Sequence, residues 1–100
     1  MPTSKATLSK QDIQALLHQL PEWALEGGML VRFWTFTDFV QAIAFVNKVA
    51  KLAEAAGHHP DIDIRYNRVK LALVSHDAGG ITARDVDMAR ELSKGLPKLA

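Results

Sequence analysis

The 100-residue chain contains no cysteine. A disulfide framework and a thiolate metal site are both excluded, so the fold has to rest on packing. Neither sign of charge dominates, because 12 Lys and Arg stand against 11 Asp and Glu, for a formal net charge of +1. That balance supplies no basic footprint for a phosphate backbone, and direct nucleic-acid binding is not expected. No apolar run approaches the roughly 20 residues that span a bilayer. The opening stretch MPTSKATL also lacks the apolar core of a secretory signal. The expectation is a cytoplasmic protein with no membrane partner. What the chain does have is 48% hydrophobic and 23% charged residues, the composition of a folded globular protein. Its length suits one hydrophobic core and is too short for two. We read a single domain over 1–100, with the small and polar residues 1–7 as a flexible tail.

Local patterns then predict the elements. Ser9 followed by Asp12 has the spacing of a capping box, with Leu8 and Ile13 at the positions of a hydrophobic staple. Ile13, Leu16, Leu17 and Leu20 continue as a helical stripe that Pro21 ends. Gly27-Gly28 between two strand-like runs reads as a hairpin over 23–36. Its second arm, 29–36, is apolar at both parities except for Arg32, which predicts cover on both faces and a homo-oligomer, dimer or tetramer. Asp38 with Gln41 opens a long helix carrying Phe39, Ala42, Ile43, Val46, Val49, Ala50 and Ala53, which Gly57 closes and Pro60 keeps from resuming.

A second hairpin alternates Ile62, Ile64 and Tyr66 in one arm with Val69, Leu71 and Leu73 in the other, around Asn67, and each arm is expected to bury one face. After a glycine-containing loop, Thr82 and Asp85 give a further capping pattern, and Val86, Ala89, Leu92 and Leu96 form a last helical stripe. The expected order is αββαββα. This is an α+β fold with one four-stranded antiparallel sheet and three helices packed on one face.

Histidine is the residue to follow. His58 and His59 precede the second hairpin and His76 follows it, and the two open ends of an antiparallel hairpin lie side by side. Three imidazoles titrating near ~6.5 can supply both an acid and a base around neutral pH. Other readings of the same residues stay open. The HisHisPro group can be a helix-ending turn whose rings meet free carbonyls. Three imidazoles can also hold a zinc ion, although the HExxH and His-x-His spacings are absent. His18, on the first helix, is left without a role. Because His59 precedes proline, its backbone is expected to be extended and its side chain to point away from that of His58. Glu54, four residues before His58, is placed to support that ring if the helix persists. Asp85 is read as mainly structural, and Trp23 and Trp34 as core or interface residues that could also stack on an aromatic ligand.

Glu54, then three residues, His58-His59-Pro60, five residues, Tyr66, nine residues, His76, eight residues and Asp85 together resemble the motif of the pterin-4a-carbinolamine dehydratases. The likeness extends from the first hairpin through the segment 35–39 to the last helix. The resemblance implies a hydro-lyase that needs no cofactor and no metal, a 4a-hydroxytetrahydrobiopterin dehydratase giving a quinonoid dihydropterin. It implies His58, His59 and His76 as the acid/base residues. Pro60, Ser75, Asp77 and Ala78, with Glu54, are implied to bind the pterin, partly through backbone groups of the loop. Two alternatives come with it: a non-catalytic dimerisation cofactor of a transcription factor, and a dehydratase-like protein of molybdenum cofactor metabolism.

Overall fold

The computed structural model describes residues 6–94. Among them the elements run α1 (Lys10–Gln19), β1 (Ala24–Glu26), β2 (Met29–Thr35), α2 (Phe39–Ala56), β3 (Asp61–Arg65), β4 (Arg68–Leu73) and α3 (Ala83–Lys94). The four strands form one antiparallel sheet in the order β1-β2-β4-β3. The second strand of each hairpin is therefore central, and the three helices lie on one face. This is the expected αββαββα architecture.

The helix boundaries follow the capping chemistry. Ser9 Oγ accepts from Asp12 N–H at 3.0 Å, and the Asp12 carboxylate accepts in return from Ser9 N–H at 3.4 Å, which opens α1. Asp38 Oδ1 accepts from Gln41 N–H at 2.9 Å and opens α2. Both devices satisfy amides that the first helical turn leaves unpaired. Gly57 ends α2 in the left-handed region at φ 65°, a conformation that a side chain would disfavour. Gly27 and Gly28, at φ 57° and 79°, turn the first hairpin as positive-φ residues must.

The core lies between the helices and the sheet. Phe45, Val49 and Ala42 of α2 meet Leu30 and Trp34 of β2, Val69, Leu71 and Leu73 of β4, and Met88, Ala89 and Leu92 of α3. Trp23 and Trp34 contribute to that core, with ring centroids 5.9 Å apart in an edge-to-face arrangement. They are thus core residues, which settles one of the alternatives left by the sequence. Arg32 enters the same layer, its guanidinium 4.4 Å from the Trp34 ring and donating to Ser93 Oγ at 3.3 Å. Burial lowers its pKa from the usual arginine value, and the nearby Glu22 opposes that shift.

Three expectations need correction. The strand expected to be covered on both faces is covered by its own chain on one face and only in part on the other: Leu30 and Trp34 are buried, while on the opposite face Val31 is 3% and Phe33 49% exposed. In the second hairpin only β4 buries its apolar face. Val69, Leu71 and Leu73 are fully enclosed, while Ile62 and Tyr66 are exposed, because β3 is an edge strand beyond the helices' cover. Tyr66 is also not a strand residue. It turns the hairpin with Asn67 at φ 54°, and Asn67 latches the turn to Phe36 through N–H···O bonds of 2.8 Å in both directions. Most of the expected tail, residues 1–7, and Leu96 of the last stripe lie outside the described residues. Immediately after the expected tail, Leu8 N–H donates to Ile81 O at 2.8 Å.

Candidate active site

The site is built where α2 ends and the second hairpin opens. Asp61 pairs with Ala72, so the residues leading into β3 lie beside those leaving β4. Gly57 reverses the chain after α2, and His58 N–H returns to Ala53 O at 3.2 Å. The His58 side chain is consequently folded inward and 9% exposed.

Its partner is Asp85, which is fully buried. Asp85 Oδ1 lies 2.6 Å from His58 Nε2. The other carboxylate oxygen accepts from Ser75 Oγ–H and from Thr82 N–H, each at 2.9 Å. A serine hydroxyl has one proton, and Ser75 gives it to Asp85; the 2.8 Å contact between Ser75 and Thr82 is therefore donated by Thr82. Thr82 Oγ in turn accepts from Arg84 N–H at 3.2 Å. The carboxylate thus receives three hydrogen bonds, with at least one on each oxygen, in a fully buried setting. With Asp85 as acceptor, His58 carries its proton on Nε2, which leaves Nδ1 as the basic position of the neutral ring. This contact adds to the reading of Asp85 as mainly structural. The carboxylate does close the first turn of α3, as the capping pattern implied, but it also grips a histidine 27 positions earlier.

Glu54 supports a different histidine from the one expected. Its Oε2 lies 2.6 Å from His59 Nε2, with both side chains largely in solvent. Left-handed Gly57 breaks the i,i+4 relation on which the expectation rested, directing His58 to Asp85 and letting His59 reach back to Glu54. The two adjacent imidazoles therefore diverge, as the proline after His59 implied. His76 is exposed, and its ring has no hydrogen-bond partner among the described residues. It lines an open cavity of about 330 Å³ beside Gly27, Gly28 and Met29. His58 lines another, of about 160 Å³, between α2 and α3. The tertiary structure thus brings His58 and His76 to the same end of the sheet without placing them in one enclosed pocket.

The remaining site residues divide in the same way. Pro60 and Ala78 are half-buried and Asp77 is exposed, whereas Ser75 is 1% exposed with its hydroxyl engaged by Asp85 and Thr82. The amides of Ala78, Gly79 and Gly80 all point to Ser75 O at 3.0–3.3 Å. Three of the loop's N–H groups are thus used in holding the loop itself. No group of three or more His, Asp or Glu side chains among the described residues is arranged to hold a metal ion. His18 is exposed on α1 and stays without a role.

A family model described as pterin 4 alpha carbinolamine dehydratase matches residues 6–94. The chain belongs to the pterin-4a-carbinolamine dehydratase family. It is 59% identical over 87 residues to a provisionally named pterin-4-alpha-carbinolamine dehydratase of Acidobacterium capsulatum, covering 87% of this chain and 95% of that protein. The corresponding figures for a protein of the same provisional name from Thermomicrobium roseum are 54% identity and coverages of 89% and 96%. Among solved structures, a transcriptional coactivator/pterin dehydratase from Brucella melitensis superposes with a TM-score of 0.82 at 31% identity, covering 87% of this chain and 95% of that one. A pterin dehydratase-like protein identified as a RuBisCO assembly factor in the alpha-carboxysome gives 0.57 at 26% identity, with coverages of 79% and 89%. The family's dehydratase motif and the His58–Asp85 contact thus fall within one matched region. No helix among the described residues is long and apolar enough to cross a membrane.

Proposed function

We propose that the protein removes water from a 4a-hydroxytetrahydropterin by histidine acid/base catalysis, without a cofactor. In this reaction the C4a–O bond breaks and the hydroxyl leaves as water with a proton from an acid. A ring N–H gives its proton to a base, and the electron pair released there forms the C=N bond of the quinonoid product. One acid and one base therefore suffice, and His58, His59 and His76 are the candidates. The observation that carries the reading is the buried Asp85 on His58 Nε2, which fixes one tautomer of a ring that also lines a cavity. Pro60, Ser75, Asp77 and Ala78 border the pterin site in this reading, with Ser75 acting through Asp85.

The test is a stopped-flow measurement on enzymatically generated 4a-hydroxytetrahydropterin. Acceleration over the spontaneous dehydration is expected, and its absence in well-folded protein would overturn the proposal. A second reading, a protein-binding module, is favoured by the outer face of α2. There Phe39 is 48% and Val40 74% exposed, and both border a shallow depression with Ile43 and Ala44. A binding module alone would leave the spontaneous rate unchanged.

A further inference from the structure

The two histidines at this end of the sheet are anchored very differently. His58 is locked by a buried carboxylate, while the exposed His76 ring makes no hydrogen bond among the described residues. Its position therefore depends on the loop that carries it. That loop has a second tie, on its outer side. Arg84 Nη2 donates to Asp77 Oδ1 at 2.7 Å. Asp77 directly follows His76, and Arg84 directly precedes Asp85. One ion pair thus connects the immediate neighbour of His76 to the immediate neighbour of the residue that holds His58.

Arg84 is not an ordinary surface arginine. Its side chain is 28% exposed and borders the same cavity as His58, together with Met88, Asp87 and Glu91. Its Nε is buried and has no hydrogen-bond partner among the described residues. An unsatisfied buried donor costs stability, and a half-exposed ion pair returns little of it. Stability alone does not account for a guanidinium in this place.

We propose that Arg84 is a positioning residue which, through Asp77, sets the location of His76 relative to His58. Its catalytic consequence rests on the dehydratase reading; its geometric consequence does not. The test compares full-length wild type with Arg84→Met, Asp77→Asn and Arg84→Lys, using ¹⁵N-histidine NMR of the ring signals, stopped-flow kcat and KM, and thermal melting. Arg84→Met and Asp77→Asn are each expected to shift the His76 ring signals while those of His58 stay in place. Each should lower kcat about tenfold, the scale of a small misplacement of a reacting group. In Arg84→Met, KM should change by less than about twofold, as for an interaction made only in the transition state, while Asp77→Asn, at the border of the proposed substrate site, is judged by kcat and the ring signals. Melting should move by no more than about 2 °C, since the pair is half-exposed. Arg84→Lys, which keeps the charge, should recover much of kcat.

Unchanged His76 signals in both variants would overturn the proposal. So would a loss in Arg84→Met that Asp77→Asn does not share. If Arg84→Met fails to fold, Asp77→Asn, at an exposed position, decides the matter by the same readouts. A wild type no faster than the spontaneous reaction would sink the dehydratase reading, and the ring signals would still decide whether Arg84 positions His76.

Discussion

Asp85 Oδ1 lies 2.6 Å from His58 Nε2, and this contact joins the end of α2 to the first turn of α3. A carboxylate with no exposed surface receives three hydrogen bonds there, so its removal leaves His58, Ser75 and the Thr82 amide without an acceptor. Replacement by alanine is expected to cost about 3–5 kcal/mol, the range for breaking a buried charge-bearing pair. Asp85→Asn, which keeps one acceptor oxygen, should cost about 1–3 kcal/mol. Urea denaturation measures both, and a loss below about 0.5 kcal/mol in Asp85→Ala, the usual range for a bland surface change, would contradict the network.

The histidine variants should separate activity from folding. His58→Ala, His59→Ala and His76→Ala are each expected to lower the dehydration rate at least about tenfold, the lower end for one general acid or base. Only His58→Ala should also destabilise the fold, because it strands the buried Asp85, whereas His59 and His76 are exposed. Wild-type turnover in all three variants would rule out the mechanism.

Glu54→Gln offers a graded control. Its contact with His59 is short but solvent-exposed at both ends, so thermal stability should change by less than about 1 kcal/mol. The rate should respond more than the stability if Glu54 orients an active His59. An equal loss in Glu54→Gln and His58→Ala would show that Glu54 acts outside that pair.

Tyr66 turns the second hairpin at φ 54° with its side chain 65% exposed. A bulky residue in the left-handed region is strained by roughly 1–2 kcal/mol, and asparagine tolerates that region better. Tyr66→Asn should therefore raise stability by about 0.5–1 kcal/mol, part of that strain. Denaturant midpoints test this, and a lower midpoint would mean that the ring makes contacts worth more than the strain.

The half-exposed Phe33, in the middle of a sheet face that the helices do not cover, motivates a prediction about assembly. The protein is expected to form at least a dimer at micromolar concentration, with a second copy on the uncovered face or edge of the sheet. Light scattering after gel filtration gives the mass. A monomer would refute the expectation, and Phe33→Glu should weaken association if the face itself is the contact.

Local chemistry was written plainly in the chain. Ser9, Asp38 and Gly57 mark helix ends through bonds to backbone within a few residues, and Gly27-Gly28 turns a hairpin by its own conformational freedom. The element order and the dehydratase motif were legible for that reason. Where cover comes from other elements, as for Phe33 or Ile62, periodicity could state a preference for burial but not whether anything would arrive to satisfy it.

The sequence by itself determined which residues are present for chemistry, and that the three histidines flank one hairpin. Only the tertiary structure decided their partners. The i,i+4 spacing of Glu54 and His58 favours a contact, yet one left-handed glycine sends His58 into the interior and leaves Glu54 to His59. Asp85 carried a visible local role at the start of α3, and that role concealed the distant one. Its second carboxylate oxygen is free to meet His58 only because the packing of α3 beside the end of α2 brings them together. A contact across 27 residues depends on how those helices pack, which no spacing along the chain encodes.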